Sequence, residues 1–462
     1  MKAMHPRGSL LALGLLAACA PASVRTASSS STGQGASSGG SLASASSSGS
    51  SLGSSSTSGG SGTAGATSSG SGSSGTASGS SGSGGSGSTG AIVYSGPIVI
   101  THGGTYTGNW ESTDPAVSPV TVATSEVVII TGSNMRGAAD LIRGDHVRLT
   151  VLNSHGEGVN PNVPGQSVGN FVNLGNVEDL RIENNDLEHT HGIGINHFAG
   201  DAGAGDTIRI LRNRAHNVDG RQSDGDGGYI HASTFAHFVL FDHVQRVVGA
   251  EIGWNQVIDE PFQCWVEDVI NMYVSSGVPS SPICIHDNFI QGAYPPDPTV
   301  DGYSGGGILL GDGTSTVPEE IGYAEVTRNH IVSTSNYGLA VTGGVEHHVF
   351  DNRVVSSGRL PDGRGIAAQN VGLYEWDPNN LRSNNPPTFA GNSVDNNVVA
   401  WTRVFPDGGT LENQWWFPDC GVNGSTCAGN QAISPISLAD EAYEIQLWRD
   451  KLADAGVTVG AP

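Results

Sequence analysis

Between His216 and Asp312 the chain concentrates the residue types that move protons and hold ligands. A first cluster reads His216, Asp219, Arg221, Asp224-Gly-Asp226-Gly-Gly, Tyr229, His231. Carboxylates alternating with glycine offer hard oxygens to Ca2+, with Asp219, Asp224 and Asp226 as candidate ligands, although the spacing is not that of an EF-hand. The same cluster also reads as an acidic surface turn. A second cluster is Trp265-Val-Glu267-Asp268-Val-Ile-Asn271-Met-Tyr273, and a third is Gly305-Gly-Gly-Ile-Leu-Leu-Gly311-Asp312. Strands stacked in register sit about 4.8 Å apart. Such stacking would align Asp226 or His231, then Glu267 or Asp268, then Asp312 as catalytic groups. Arg221, Tyr229, Trp265, Asn271 and Tyr273 would then contact substrate. Carboxyl groups about 5 Å apart suit retaining glycoside hydrolysis, and about 9–10 Å approaches the inverting separation. Crowded carboxylates also raise one another's pKa, as an acid catalyst requires. The alternative is that these residues are acceptors supporting loops. His189-Thr-His191 and His197 form a smaller group, which could bind a transition metal but more ordinarily caps turns.

Something regular must position these clusters, and a repeated phrase supplies it: an apolar residue, two variable residues, Asn, one variable residue, then usually an apolar residue. It occurs as Ile182-Glu-Asn-Asn185-Asp-Leu187, Ile210-Leu-Arg-Asn213-Arg-Ala215, Ile252-Gly-Trp-Asn255-Gln-Val257 and Ile285-His-Asp-Asn288-Phe-Ile290. It continues as Val326-Thr-Arg-Asn329-His-Ile331, Val349-Phe-Asp-Asn352-Arg-Val354 and Val394-Asp-Asn-Asn397-Val-Val399, with weaker copies centred on Asn134 and Asn153. A fixed phrase at variable spacing indicates a solenoid with insertions. The arms alternate with period two and are rich in β-branched residues, so they read as strands. Asn suits the bend because it tolerates left-handed backbone and can hydrogen-bond along a stack of coils. The longest interruptions of the repeat include the three consecutive ones between Asn213 and Asn329, so one wall of a groove is expected from residues 216–316. After the last copy, residues 437–455 read as a helix capped by Ser437, with Leu438, Ala442, Ile445, Trp448 and Leu452 on one face. That helix is expected on or near the last coils.

Over roughly residues 95–430 this pattern resembles the right-handed parallel β-helix proteins of the pectin-lyase-like superfamily. The resemblance implies an all-β fold of about nine or more coils, a structural role for the Asn column, and a polysaccharide as partner. It implies a polysaccharide lyase or glycoside hydrolase. Pectate-lyase relatives use Arg or Lys with Ca2+. Here Arg221, Arg246, His231 or Tyr229 would take that part, with Ca2+ on the aspartates. Phe241-Asp242-His243 matches a fragment of a pectate-lyase motif. The aspartate trio and Gly-His-Gly of polygalacturonases are absent, as is the Asp-Pro-His of mannuronan epimerases. A non-catalytic glycan-binding or adhesin-like surface role therefore stands beside the enzyme reading.

The flanks and the charge bound the setting. Lys2, Arg7 and the apolar run Leu10–Leu16 read as a signal peptide ending in Leu16-Ala17-Ala18-Cys19. That ending is similar to a lipobox, which implies lipidation at Cys19 and an outer-membrane or cell-surface lipoprotein. Residues 20–91 are almost entirely Ser, Gly, Ala and Thr, the composition of a flexible linker. The domain is then residues 92–462, read as a monomer. It carries 43 acidic against 17 basic residues, a net charge of −26, with Lys451 its one lysine. Such a surface argues against nucleic acid and anionic lipid, and favours a neutral or cation-assisted glycan. Among the remaining cysteines, Cys420 and Cys427 close a Gly/Asn-rich loop and are expected to pair. Cys264 and Cys284 could pair if they fall on neighbouring coils.

Overall fold

A computed structural model describes Cys19 and residues 91–462 except Tyr303, Ser304 and Pro435. Apart from Cys19 and Ala91, the expected signal peptide and linker lie outside the described residues. The rest is a parallel β-helix. Three long sheets run the length of the stack, with eleven, ten and twelve strands. Each coil contributes one strand to each sheet, and the pairing is parallel throughout apart from an antiparallel strand at the end of the third sheet. Period-two alternation sends every second side chain inward. On the first sheet Val172, Ile193, Val239, Ile270, Ile308, Leu339 and Leu373 stack as one internal column. All are fully buried or nearly so.

The Asn repeat occupies the bend between the second and third sheets. Asn213 Oδ1 accepts from both the N–H (3.1 Å) and the Nδ2 (2.9 Å) of Asn185, while its own Nδ2 donates to Asn255 Oδ1 (3.0 Å) and Ile182 O (2.9 Å). The same pattern runs on through Asn288, Asn329, Asn352 and Asn397 to Asn430. Two details correct the sequence reading. At the N-terminal end the column positions are Ser133 and Ser154, not Asn134 and Asn153, because a serine Oγ accepts the same backbone N–H. The left-handed residue of the bend is the one before each ladder Asn: Arg212, Trp254, Asp287 and Arg328 have φ between 56° and 59°. The ladder Asn serves as a hydrogen-bonding bridge rather than as the turn residue.

The C-terminal helix Leu438–Ala455 forms where expected, and Ser437 N donates to Asp440 Oδ2 at 2.8 Å. It lies along the flank of the third sheet, on strands His330–Val332 and Arg353–Ser356. Trp448 is buried against Phe289 and Val332. The packed face is partly ionic: Ala442 is exposed, whereas Glu441 and Glu444 are buried. Glu444 meets His330 at 3.0 Å and Arg353 at 2.9 Å.

Cys420 and Cys427 pair as expected. Cys264 is a free, buried thiol, and Cys284 pairs with Cys19 instead. Cys19 is further held by its N–H on Glu325 Oε1 (2.9 Å) and its carbonyl on Arg328 (3.1 Å). A sulfur engaged in this disulfide would carry no thioether, so pairing with Cys284 and lipidation are alternative fates of Cys19. Digestion without reductant is expected to yield a peptide linking Cys19 to Cys284, with Cys264 alkylated only after unfolding. A lipid-modified Cys19 beside a free Cys284 would contradict the structure. A second expectation concerns the ladder. Asn288→Ala leaves the backbone N–H of Asn255 and one of the two Nδ2 hydrogens without an acceptor in the interior, so it should cost ~2 kcal/mol in denaturation midpoint analysis. Asn288→Ser, which keeps an acceptor as Ser133 and Ser154 do, should cost less.

Candidate active site

The outer face of the first sheet is the floor of a groove. Along one outward column lie Asn173, Gly194, Leu240, Asn271, Leu309, Ala340, Tyr374 and Trp416, each in register with the next. A parallel column carries Asn196, Asp242, Tyr273 and Asp312. Polar groups line the N-terminal end, where Asn170, Asn173, His191, Asn196, His237 and Asp242 border a depression of ≈ 250 Å³. Aromatic rings line the C-terminal end. Tyr374 meets Tyr337 edge-on at 5.1 Å, and Trp376 and Trp416 lie 5.2 Å apart with 39% and 48% of their surface exposed.

Carboxyl groups gather between these ends. Glu267 and Asp268 immediately precede the strand Ile270–Tyr273, and Asp312 ends the next strand, Ile308–Asp312. Asp312 owes its direction to a bulge. Leu310 pairs with Met272 and Asp312 with Tyr273, so Gly311 is an extra residue. It has φ +72°, and a Cβ there would sit 2.0 Å from Gly343 O. Without the extra residue the alternation would turn Asp312 inward; with it, the carboxylate faces the groove. A second irregularity, between His237 and Val239, places His237 beside the same carboxylates.

Asp268 is the buried centre of the group. Its Oδ1 accepts from the Tyr337 hydroxyl and from Gly306 N (2.9 Å), and its Oδ2 from Asn271 Nδ2 (3.2 Å). Gly306 is required there, since a Cβ would meet the Tyr337 ring at 2.3 Å. Asn271 Nδ2 also donates to Asp312 Oδ2 (3.1 Å), tying the two carboxylates together, while its Oδ1 is buried without a partner. Asp312 Oδ1 accepts from Gly313 N (2.8 Å). Glu267 is half-buried, and one ligand atom each of Glu267, Asp268 and His237 lie within 4.8 Å of one another. Burial, then the charges of Asp268 and Asp312, push the Glu267 carboxyl up to about 8. Burial lifts Asp268 to about 6 against the lowering effect of its hydrogen bonds. Desolvation holds His237 down to about 4. Its Nδ1–H donates to Asp268 O (2.7 Å), which leaves a bare Nε2 3.6 Å from Glu267 Oε2. The site thus offers a protonated carboxyl at neutral pH, a second carboxylate accepting two N–H bonds in the open groove, and a neutral imidazole. That is the equipment for proton donation to a leaving group with carboxylate assistance.

Of the expected site residues, the structure brings together Glu267, Asp268, Asn271, Tyr273 and Asp312. The first cluster goes elsewhere. Residues Arg221–Ser223 and Tyr229–Ser233 form an antiparallel hairpin whose tip is closed by Asp224 Oδ1 accepting from Asp226 N (2.7 Å) and Gly228 N (2.9 Å). Asp219 is buried and saturated by the Arg221 guanidinium and by Trp265 N. Asp219, Asp224 and Asp226 are thus not among the groups of described residues whose ligand atoms lie within 4.8 Å of one another, and the acidic segment forms a turn. Arg221 is held by Asp219 and the carbonyls of Phe262 and Gln263, with the exposed Tyr229 ring 4.0 Å from its guanidinium, both on this hairpin. His231 pairs with Asp301 at 3.1 Å and leans on Trp265. His189 and His197 occupy left-handed turn positions, while His191 bonds Thr234 at 2.8 Å. Sequence analysis missed His237 and Tyr337, which fall outside its clusters; the glycine run 305–307 marks close backbone approach but does not say which side chains meet there. Comparison of the chain with models of known protein families, with curated proteins and with solved structures finds no match.

The coupling among the carboxylates is testable without a substrate. The folded state holds the Glu267 proton up to about pH 8, whereas its ordinary value is 4.5. Its contribution to stability is therefore complete below ~4.5 and is lost as pH rises through 8. Glu267→Gln should be more stable than the parent above pH 8, with the difference vanishing in acid. Asp312→Asn should lower the Glu267 titration midpoint in carboxyl NMR; an unmoved midpoint would show that the two are not coupled.

Proposed function

We propose that this protein is an exported glycoside hydrolase that acts on a neutral polysaccharide lying along the first sheet. The observation that carries the reading is Glu267, a partly exposed carboxyl that keeps its proton at neutral pH on the floor of a groove beside Asp312. Glu267 donates a proton to the glycosidic oxygen, and Asp312 acts on the anomeric carbon side, directly or through water. Asp268, Asn271 and Tyr337 position the pair. The rings of Tyr374, Trp376 and Trp416 suit the apolar faces of sugars, and the amides and imidazoles at the other end suit hydroxyl groups. The superfamily resemblance and two disulfides, which persist in oxidising compartments, support an exported glycan-active protein. Elimination on a uronate is disfavoured, because both charges acting on Glu267 are negative and Arg221 is engaged elsewhere.

The purified chain is expected to release reducing ends from at least one neutral polymer in a panel that also contains uronate polymers, with the rate falling above about pH 8 as Glu267 ionises. Glu267→Gln and Asp312→Asn should each lower the rate by ~10²-fold or more. Unsaturated products absorbing in the ultraviolet, or turnover that survives Glu267→Gln, would reject the hydrolase assignment. Binding with no turnover across the panel would favour a non-catalytic glycan module.

A further inference from the structure

A second concavity lies apart from the carboxylates and has the opposite character. It encloses ≈ 590 Å³ and is lined by Arg359, Arg364 and Arg403, with Ile366, Val404, Phe405 and backbone from residues 363–367 among the rest. Among the described residues, no Asp or Glu lines it. Two of the segments that build it precede the strands Val371–Glu375 and Trp415–Trp416. They are the same class of connection that carries Glu267, three and four coils further along the stack.

Seventeen basic residues face 43 acidic ones in this domain, so three arginines in one cleft without a lining carboxylate are conspicuous. Arg364 is neutralised by Asp362 at 2.6 Å and lies 4.9 Å from the Phe262 ring, so it serves as wall. The other two are differently placed. The Arg359 guanidinium donates one N–H to Gly363 O (2.9 Å) and has no carboxylate partner among the described residues. Arg403 makes no ion pair there either; its guanidinium rests 5.1 Å from the Phe405 ring. A guanidinium carries five N–H donors in a planar fork that matches a carboxylate, sulfate or phosphate. In a chain of net charge −23, two such forks left uncompensated in a concave, partly apolar cleft form a localised site for an oxyanion.

We infer that the cleft between Arg359 and Arg403 binds a sugar bearing one anionic group, a carboxylate or a sulfate or phosphate ester, with Phe405 against its apolar face. The site is independent of the hydrolase reading, since binding there needs neither Glu267 nor turnover. It also distinguishes a glycan with an occasional acidic substituent from a polyanion, which the acidic surface would repel.

Calorimetric titration of the full chain with glucuronate, glucose 6-sulfate, glucose 6-phosphate and glucose tests it. At least one anionic probe should bind where glucose does not, and added salt should weaken it. Which of the three binds names the anion; any of them supports the site. Arg403→Gln should weaken binding by ~10-fold or more, the scale of a lost charge-assisted contact. Arg359→Lys keeps the charge but loses the planar fork, and should weaken it less. Unchanged thermal melting shows that both variants fold. No preference for the anionic sugars over glucose, or affinity unaltered in both variants, would overturn the inference, whatever the fate of hydrolysis at Glu267.

Discussion

The buried amide column running through Asn185, Asn213, Asn255, Asn288, Asn329, Asn352, Asn397 and Asn430 is the constraint on which the rest of the molecule depends. At the bend between the second and third sheets the backbone cannot continue either ladder, and its N–H groups would be left without acceptors in a dry interior. Each Asn from Asn213 to Asn397 supplies one oxygen to two donors of the Asn before it and sends its own nitrogen to the next Asn and to a strand carbonyl. An unpaired buried polar group costs far more than a satisfied one returns, so the column enforces a coil-by-coil register. The left-handed residues that precede it, among them Trp254 and Arg212, are conformations that side chains rarely adopt, and the ladder holds them there.

With one corner fixed, variation is displaced to the connections that enter the first sheet. There the same physics produces function-bearing irregularity. The Gly311 bulge rotates Asp312 outward, and the glycine run brings a neighbouring coil close enough for Gly306 and Tyr337 to reach Asp268. The result is a crowding of carboxyl groups that no stability argument would select. Glu267 is pushed upward by burial and by two neighbours of like charge. Such conflict between local preference and global fold is concentrated where chemistry is plausible and is nearly absent from the internal columns.

The repeat made the solenoid legible, because alternation and the Asn phrase are both local signals. Its ends were misread by one position: Asn134 and Asn153 drew attention, although Ser133 and Ser154 do the bonding, since a hydroxyl mimics only half of what an amide does. The candidate site was legible where side chains sit on strands, as with Asn271 and Asp312. It was illegible where a hairpin intervened, since Asp219 and Asp226 are near the cluster in sequence but belong to a turn. His237 and Tyr337 were invisible because their importance depends on which coils meet. The pairing of Cys19 with Cys284 spans 265 residues, a contact that no spacing rule anticipates.

That disulfide also determines how the molecule would bear load. Tension arriving through residue 19 enters the solenoid at the strand Ile283–His286, in the middle of the stack, and not at the first coil, Ile98–Ile100. A stack pulled from its terminal coil can unzip one rung at a time, each rung exposing the next. With the link in place the coils that precede Ile283 lie outside that load path, whereas in the reduced chain they stand first in it, with the same coils and the same core.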